Sequence, residues 1–343
     1  MDRTIDLLAE LTGQRDREVL DRTLALVLGG LLRARQVTVA YPAGEEGRER
    51  WIRRASLALG GTDAVGDEPW TNLNELPAMD ERPRWRDCLR SQQPQQTAGP
   101  PACSLWPLLT DAGTVGVLEL LTDLPLSLDD LHRVGGVLRI YRNMLGMLDY
   151  SERDTLTGLL NRKSFDSTFL QATVVEAGRL YADVDNAGRR QGGAMPHWLG
   201  VLDIDHFKRV NDEHGHLIGD EVLVLVARIM RGTFRFGDRL YRFGGEEFVV
   251  LLSAPDEASA GAAFERLRTN LEVFAFPRVN RVTASIGFSD VRPGDTPQAA
   301  FERADRAVYH GKQNGRNQVC SFGALVASGL FSDDKGTGEV ELF

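Results

Sequence analysis

Two aspartates separated by a single residue end an apolar stretch in the middle of the chain. The stretch 199–204 predicts a strand, and strand alternation places Asp203 and Asp205 on the same face. Carboxylates at a strand end suit a hard, oxygen-seeking cation such as Mg²⁺, which also holds substrate phosphates. In an alternative interpretation these carboxylates cap the following helix, and this fits Asp205 better than Asp203.

A second pair of carboxylates directly follows a turn. Gly244 and Gly245 separate two apolar runs, and glycines allow the positive φ that a two-residue hairpin turn requires. Glu246 and Glu247 then collect negative charge at one corner, which a bound divalent cation would neutralise. Glycines also let a base and a ribose come close to the backbone.

The elements that must position these carboxylates begin near residue 154. Their alternation predicts an α/β sandwich built on one sheet, with a surface loop over 184–196. The predicted strands are Leu199–Ile204, Arg239–Phe243, Glu247–Ser253, Val279–Phe288 and Gln318–Phe322. The predicted helices lie near Asn161–Asp183, Phe207–Glu213, Gly219–Phe234, Glu257–Phe274 and Pro297–Asn314.

The chain before residue 127 shows a different arrangement. Two helical patterns precede hairpins over 36–57 and 104–121, and a Gly-, Pro- and Gln-rich stretch between them predicts mostly loop with a short helix over 84–89. A sheet with flanking helices in this order resembles a GAF-type sensory domain, with a PAS-like fold as the alternative. Residues 1–126 are therefore expected to form a separate α/β sensory domain.

A linker helix is predicted over 127–153, with Ser127 as its N-cap. Apolar residues at alternating three- and four-residue spacing along this helix match a heptad seam, which favours a parallel contact between two subunits over packing on the helix's own sheet. The seam residues are Leu131, Val134, Leu138, Tyr141, Leu145 and Leu148. Residues 323–343, rich in Gly, Ser and acidic residues, are expected to be a flexible tail.

Composition limits the classes of partner. The 343 residues carry 40 Lys and Arg against 49 Asp and Glu, a net charge of −9 that argues against binding a nucleic acid polymer. No apolar run approaches the roughly 18 residues of a membrane span, so a cytoplasmic protein is expected. The cysteines, Cys88, Cys103 and Cys320, form no C-x-x-C pair and are expected to be buried thiols.

Four ordered motifs in the second half of the chain together resemble the GGDEF family of diguanylate cyclases. They are Asp154-x-Leu156-Thr157-Gly158-Leu159-x-Asn161-Arg162, the Asp203 strand, Gly244-Gly245-Glu246-Glu247-Phe248 and Lys312-Gln313-x-Gly315-Arg316-Asn317. The resemblance covers 154–322 and implies a palm-like domain, similar to nucleotidyl cyclases, that makes cyclic di-GMP and two pyrophosphates from two GTP. It implies a homodimer, because each domain holds one GTP. Glu246 stands where the family name has Asp, and both occur in active members.

The resemblance also implies roles for individual residues. Asp203, the carbonyl of Ile204 and Glu246 correspond to ligands of Mg²⁺, two ions per site, with Mn²⁺ as a substitute. Glu246 and Glu247 are the candidate catalytic carboxylates, with Glu246 as proton acceptor, and Lys208 corresponds to a transition-state stabiliser. Lys312 and Arg316 correspond to a phosphate-binding pair, for which helical i,i+4 spacing predicts one shared face, unless they are only a solvated basic helix end. The other candidate substrate contacts are Asn211 and Asp220 for guanine, together with His206, Phe207, Gly244 and Gly245.

A regulatory site is implied by the R-x-x-D pattern ahead of the hairpin. Arg235 and Asp238 stand at the position of the family's inhibitory product site, and Arg266 matches a supporting position. Two rival functions stay open: an inactive domain that only binds GTP or cyclic di-GMP, and a cyclase acting on ATP, which Asn211 and Asp220 disfavour.

Overall fold

The chain divides into two compact units, Met1–Ser151 and Glu152–Phe343. The structure is a computed structural model, and it describes residues 2–44, 47–67, 71, 73–110, 113–170, 195–235 and 237–333. The predicted surface loop over 184–196 lies outside these residues except for its last two. No helix in the described ranges combines the length and the apolar character needed to span a membrane.

The first unit is built on a five-stranded antiparallel sheet in the order β2-β1-β5-β4-β3. Both predicted hairpins are present, and the short β3 is an addition within the stretch predicted as loop. The strands are β1 Gln36–Ala43, β2 Arg50–Ala58, β3 Gln95–Thr97, β4 Ala102–Thr110 and β5 Gly113–Thr122. The helices are α1 Asp2–Gly13, α2 Arg17–Leu32, α3 Pro83–Ser91 and α4 Leu128–Glu152.

Helix α4 begins as predicted but buries the residues assigned to an intersubunit seam. The hydroxyl of Ser127 accepts from the N–H of Asp130, whose carboxylate accepts from the N–H of Ser127, so the helix starts with a reciprocal cap. Four of the six seam residues are at most 2% exposed and belong to the core of the first unit. The stripe therefore packs on its own domain, and the prediction of a seam along it is wrong. These four residues are Val134, Tyr141, Leu145 and Leu148.

The second unit contains a six-stranded mixed sheet in the order β11-β10-β7-β9-β8-β6. Strand β7 lies antiparallel between β10 and β9, and it is buried along nearly its whole length, as expected for a central strand. The strands are β6 Leu160–Asn161, β7 His197–Ile204, β8 Arg239–Gly244, β9 Glu247–Ser253, β10 Ala284–Asp290 and β11 Val319–Ser321. The helices are α5 over 162–170, α6 Phe207–His214, α7 His216–Thr233, α8 Glu257–Val273, α9 Pro297–Gln313 and α10 Phe322–Ala327.

Helices α8 and α9 cover opposite faces of this sheet. A Cβ at Gly200 would lie 2.2 Å from the ring of Phe264 on α8, and one at Gly287 would lie 2.2 Å from the carbonyl of Ala304 on α9. Because Gly287 pairs with Val201, the next residue along β7, the two glycines face opposite ways. The face of Val201 and Asp203 is therefore the α9 face.

Two predictions about this unit are corrected. Strand β10 starts at Ala284 instead of Val279, because 276–280 form a turn in which Arg278 and Asn280 have positive φ. Residues 323–333, predicted as part of a flexible tail, include α10, and Leu325 packs with Phe322 in a small core under α9. The remaining tail lies outside the described residues. The three cysteines are free and buried, as predicted.

Candidate active site

Strand pairing brings the carboxylates of the two motifs together. Asp203 at the end of β7 pairs with Glu247 on β9, and paired residues of neighbouring strands share a face. The N–H of Ile204 donates to the carbonyl of Glu246 at 3.4 Å, which holds the hairpin turn beside the end of β7. The sheet therefore places Asp203, Glu246 and Glu247 at one corner, on or beside the α9 face.

The hairpin turn depends on its two glycines and on an arginine that the sequence interpretation missed. Gly244 and Gly245 have φ of +143° and +53°, conformations that L side chains adopt only with strain. The guanidinium of Arg242 donates to the carbonyl of Gly245 at 2.9 and 3.1 Å and to the carboxylate of Asp154 at 3.0 Å. Arg242 thus ties the first motif to the third, and no spacing rule pointed to it.

Asp154 is itself held in place. Its carboxylate accepts from the N–H and the hydroxyl of Thr157 at 2.8 and 2.7 Å. Burial opposes ionisation, but the hydrogen bonds from Thr157 and Arg242 prevail and lower the pKa of Asp154. The first motif therefore serves as an anionic anchor for the arginine that fixes the turn.

The three corner carboxylates all have a raised pKa. Burial is the largest cause for each, and mutual repulsion adds to it: Asp203 raises the pKa of Glu246 and, with Asp305 of α9, that of Glu247. Lys312 opposes these shifts; its Nζ lies 2.6 Å from Oδ2 of Asp203. The corner is thus a concentration of negative charge that one lysine partly neutralises.

These residues fit a divalent cation, although the described residues contain no ready-made cluster of three or more His, Cys, Asp or Glu for a metal. The Oδ1 atom of Asp203 is buried and has no hydrogen-bond partner among the described residues. A buried carboxylate oxygen without a donor, beside further carboxylates, is the ligand type that Mg²⁺ prefers. Asp203, the carbonyl of Ile204 and Glu246 are the residues that could hold the ion.

Asp205 has a structural role and does not cap the next helix. Its carboxylate accepts from the hydroxyls of Thr283 and Ser285 at 2.8 and 2.7 Å and from the N–H of Asn317 at 2.9 Å. Among the residues that the structure describes, no side chain caps α6, which starts after His206 at a positive φ of 58°. Asp205 therefore joins the end of β7 to β10 and to the loop after α9, and the alternative interpretation in which it caps the helix is wrong.

Lys312 and Arg316 do not share a helix face. Helix α9 ends at Gln313, and Gly315 and Arg316 follow with φ of +111° and +61°. Lys312 lines a cavity of about 310 Å³ with Asp203, whereas Arg316 lines a separate cavity of about 470 Å³ with Asp205. The i,i+4 argument fails because the glycine turn ends the helix between the two residues.

The two predicted guanine contacts come from facing helices. A Cβ at Gly219, the residue before Asp220 on α7, would lie only 2.0 Å from Oδ1 of Asn211 on α6. Asn211 thus packs against the start of α7 next to Asp220. Lys208 and His206 are exposed at the start of α6, whereas Phe207 is 4% exposed and its side chain packs in the core, so only its backbone could make the predicted substrate contact.

Replacing Gly219 by Ala is expected to move the amide of Asn211 and weaken guanine recognition. We expect the KM for GTP to rise about tenfold with little change in kcat, because the lost contact is one of binding. Steady-state kinetics would measure both constants. Gly232→Ala is the matched control, since it lies on the same helix and its added Cβ would have no described atom within 4 Å beyond its own helix backbone. Equal KM values for the two variants would contradict the assignment.

The predicted inhibitory residues also converge. The carboxylate of Asp238 accepts from the N–H of Arg235 at 2.9 Å, and Arg266 on α8 donates to the carbonyl of Thr233 at 2.9 Å at the end of α7. Burial raises the pKa of Asp238, and the charges of Arg235 and Arg266 oppose that shift. Arg235, Asp238 and Arg266 therefore lie near one another where α7, α8 and β8 meet.

Known proteins of one family are similar to the second half of the chain, which carries this site. The family model "Diguanylate cyclase, GGDEF domain" matches residues 151–318. Diguanylate cyclase DgcP of Pseudomonas aeruginosa is 40% identical over 169 residues, covering 48% of this chain and 23% of DgcP. Diguanylate cyclase A of Treponema denticola is 42% identical over 124 residues, covering 35% of this chain and 33% of that protein. The chain thus spans well under half the length of either relative.

A solved structure is also similar. The GGDEF domain of DgcB from Caulobacter crescentus, in complex with c-di-GMP, is 31% identical, with a TM-score of 0.44; the match covers 50% of this chain and 96% of that one. The family match coincides with the unit that carries the carboxylate corner, the glycine turn and the paired helices. Residues 151–318 are therefore a GGDEF domain of the diguanylate cyclase family.

Proposed function

We propose that the chain is a Mg²⁺-dependent diguanylate cyclase that converts two GTP into cyclic di-GMP and two pyrophosphates. The observation that carries the proposal is the corner at which Asp203, Glu246 and Glu247 meet with raised pKa values beside the unpartnered Oδ1 of Asp203. Such a corner suits a cation that brings phosphates with it.

The chain's own residues divide the work of the reaction. Asp203, the carbonyl of Ile204 and Glu246 would hold the metal, which would lower the pKa of the ribose 3′-hydroxyl and offset phosphate charge. Glu246 accepts the proton as the 3′-oxygen bonds to the α-phosphorus of the second GTP and pyrophosphate leaves. Lys208 and the uncapped start of α6 face the phosphates, where N–H groups and an ammonium group favour negative charge.

Guanine selection falls to Asn211 and Asp220. An amide and a carboxylate on facing helices can pair with the acceptors of guanine and with its N1 and N2 donors, which adenine lacks. A cyclase acting on ATP would leave these polar groups unpaired, at a cost in affinity. The pair therefore favours GTP as the substrate.

Catalysis requires two such domains facing each other. Each domain holds one GTP, and each 3′-hydroxyl must be aligned with the α-phosphate held by the other, so orientation contributes as much as side-chain chemistry. We therefore propose a homodimer whose productive pairing is controlled by the first unit as a sensory domain. Arg235, Asp238 and Arg266 would bind cyclic di-GMP and limit its synthesis.

The proposal is tested by incubating the full chain with GTP and Mg²⁺ and identifying products by mass spectrometry. We expect cyclic di-GMP, and more of it from Arg235→Ala, in which product inhibition is relieved. Binding of GTP or cyclic di-GMP without synthesis in both proteins would instead establish the second candidate, an inactive receptor domain. Synthesis of cyclic di-AMP from ATP at a similar rate would contradict the roles of Asn211 and Asp220.

A further inference from the structure

Lys312 and Asp203 form an ion pair where the metal ion is proposed to bind. Nζ of Lys312 lies 2.6 Å from Oδ2 of Asp203, with the two side chains 32% and 19% exposed. The other oxygen, Oδ1, is buried without a partner in the described part of the chain. The ammonium group therefore takes one of the two oxygens through which Asp203 could bind a cation.

Lys312 also offsets the negative charge of the surrounding carboxylates. Its charge lowers the pKa of Asp203, Glu246, Glu247 and Asp305, in each case against burial, which raises it. A divalent cation at Asp203 would supply the same compensation with twice the charge. At such short range the cation and the ammonium group would repel each other strongly in a partly buried site. The two therefore cannot bind the same carboxylate at the same time.

We propose that Lys312 competes with the metal ion for Asp203 and turns to the nucleotide phosphates once the ion has displaced it. This inference rests on the proposed function, since it takes a metal–GTP complex as the ligand. A free metal ion must displace the lysine with no compensation, whereas a metal–nucleotide complex offers the released ammonium group a new anionic partner. Metal and nucleotide binding are therefore coupled through one side chain.

Removing the ammonium group is expected to change the affinity for the free metal ion and the affinity for the metal–nucleotide complex in opposite directions. In Lys312→Met, Mn²⁺ alone should bind about tenfold more tightly, and the Mn²⁺ complex of a GTP analogue with a methylene bridge between the α- and β-phosphates about tenfold more weakly. The electron paramagnetic resonance signal of free Mn²⁺ reports the first affinity, and isothermal titration calorimetry the second. Both are measured on the full chain without turnover.

Two controls separate direct competition from a general effect of charge. Arg306 lines the same cavity, and its guanidinium lies over the rings of Phe322 and Phe331. Arg306→Gln removes one positive charge there and should change Mn²⁺ affinity less than about twofold. Adding Asp203→Asn to Lys312→Met should abolish the gain.

Unchanged or weaker Mn²⁺ binding in Lys312→Met would overturn the inference, as would an equal gain in Arg306→Gln. If Lys312→Met does not keep the wild-type far-ultraviolet circular dichroism spectrum, Lys312→Gln replaces it in the same comparison. A wild-type protein that makes no cyclic di-GMP would contradict the proposed function, yet the Mn²⁺ comparison would still decide whether Lys312 competes for Asp203.

Discussion

Replacing Glu246 by Gln is expected to lower cyclic di-GMP synthesis by about a thousandfold while the protein stays folded. The substitution keeps the shape of the side chain but removes a metal ligand and the proton acceptor together, and each function alone supports a large part of such rate enhancements. The fold should survive because Glu246 lies in the hairpin turn, outside the core, and because its raised pKa shows that the folded state disfavours its charge. Initial rates with GTP and Mg²⁺ measure the effect.

The control is an exposed glutamate of the same unit. Glu302 lies on α9, where it accepts a hydrogen bond from Gln298 at 2.7 Å, and Glu302→Gln should keep the wild-type rate. A Glu246→Gln protein that retains more than about a tenth of the wild-type rate would remove Glu246 from the chemistry. Loss of rate in both variants would point to a general loss of negative charge instead.

The carboxylate corner was accessible from the sequence because its geometry is local. Asp203 ends an apolar strand, and Glu246 directly follows two glycines, which supply the positive φ that a tight hairpin turn requires. Once the two strands pair, their register leaves no freedom in where the carboxylates point. The strand ends and the tight turn were therefore sufficient to predict the carboxylate corner, without knowledge of contacts between residues far apart in the chain.

Two failures have the opposite property, since they depend on contacts between residues far apart in the chain. Arg242 acts by reaching Asp154, 88 residues away. Asp205 is satisfied by Thr283 and Ser285, so spacing relative to its own helix gave the wrong partner. Helical spacing also misplaced Arg316, because Gly315 ends α9 before the next turn.

The stripe on α4 shows why periodicity alone does not identify the surface that it packs against. A 3,4 spacing fits a second copy of the helix and a sheet of the same unit equally well. Tyr141 decides between them, because its hydroxyl donates to the buried Asp21 of α2 and lies 2.7 Å from the hydroxyl of Tyr41 on β1. The first unit thus closes around a carboxylate that no pattern along α4 could reveal.

That buried carboxylate is expected to make the first unit lose stability as the pH rises toward neutrality. Asp21 is fully buried; Tyr41 donates to its Oδ1 at 2.9 Å, and Oδ2 has no hydrogen-bond partner among the described residues. Burial raises the pKa of Asp21 to about 6, against the hydrogen bonds of the two tyrosines and the charges of Arg54 and Arg17. An unfolded aspartate has a pKa near 3.9, so between these values the folded state holds the extra proton.

The sign and size of this pH effect on the free energy of unfolding follow from the difference in bound protons between the folded and unfolded states. The stabilising contribution of Asp21 to the free energy of unfolding is fully present below the pKa that Asp21 has in the unfolded chain. It is lost as the pH rises through the pKa that Asp21 has in the folded protein. It should amount to about 2 kcal/mol of unfolding free energy between about pH 4 and about pH 7. Relative to wild type, Asp21→Asn should therefore gain about 2 kcal/mol over that range, because the amide does not titrate.

Urea unfolding of the full chain followed by tryptophan emission measures this effect, since four of the five tryptophans lie in the first 151 residues. Thr23→Val is the matched control: it alters a buried polar residue of α2 without removing a titratable group, and its effect on stability should be independent of pH. If the difference between wild type and Asp21→Asn stays constant across this pH range, Asp21 does not take up a proton in the folded protein. A tyrosine-bound carboxylate that is charged at every pH would then hold α2, β1 and α4 together.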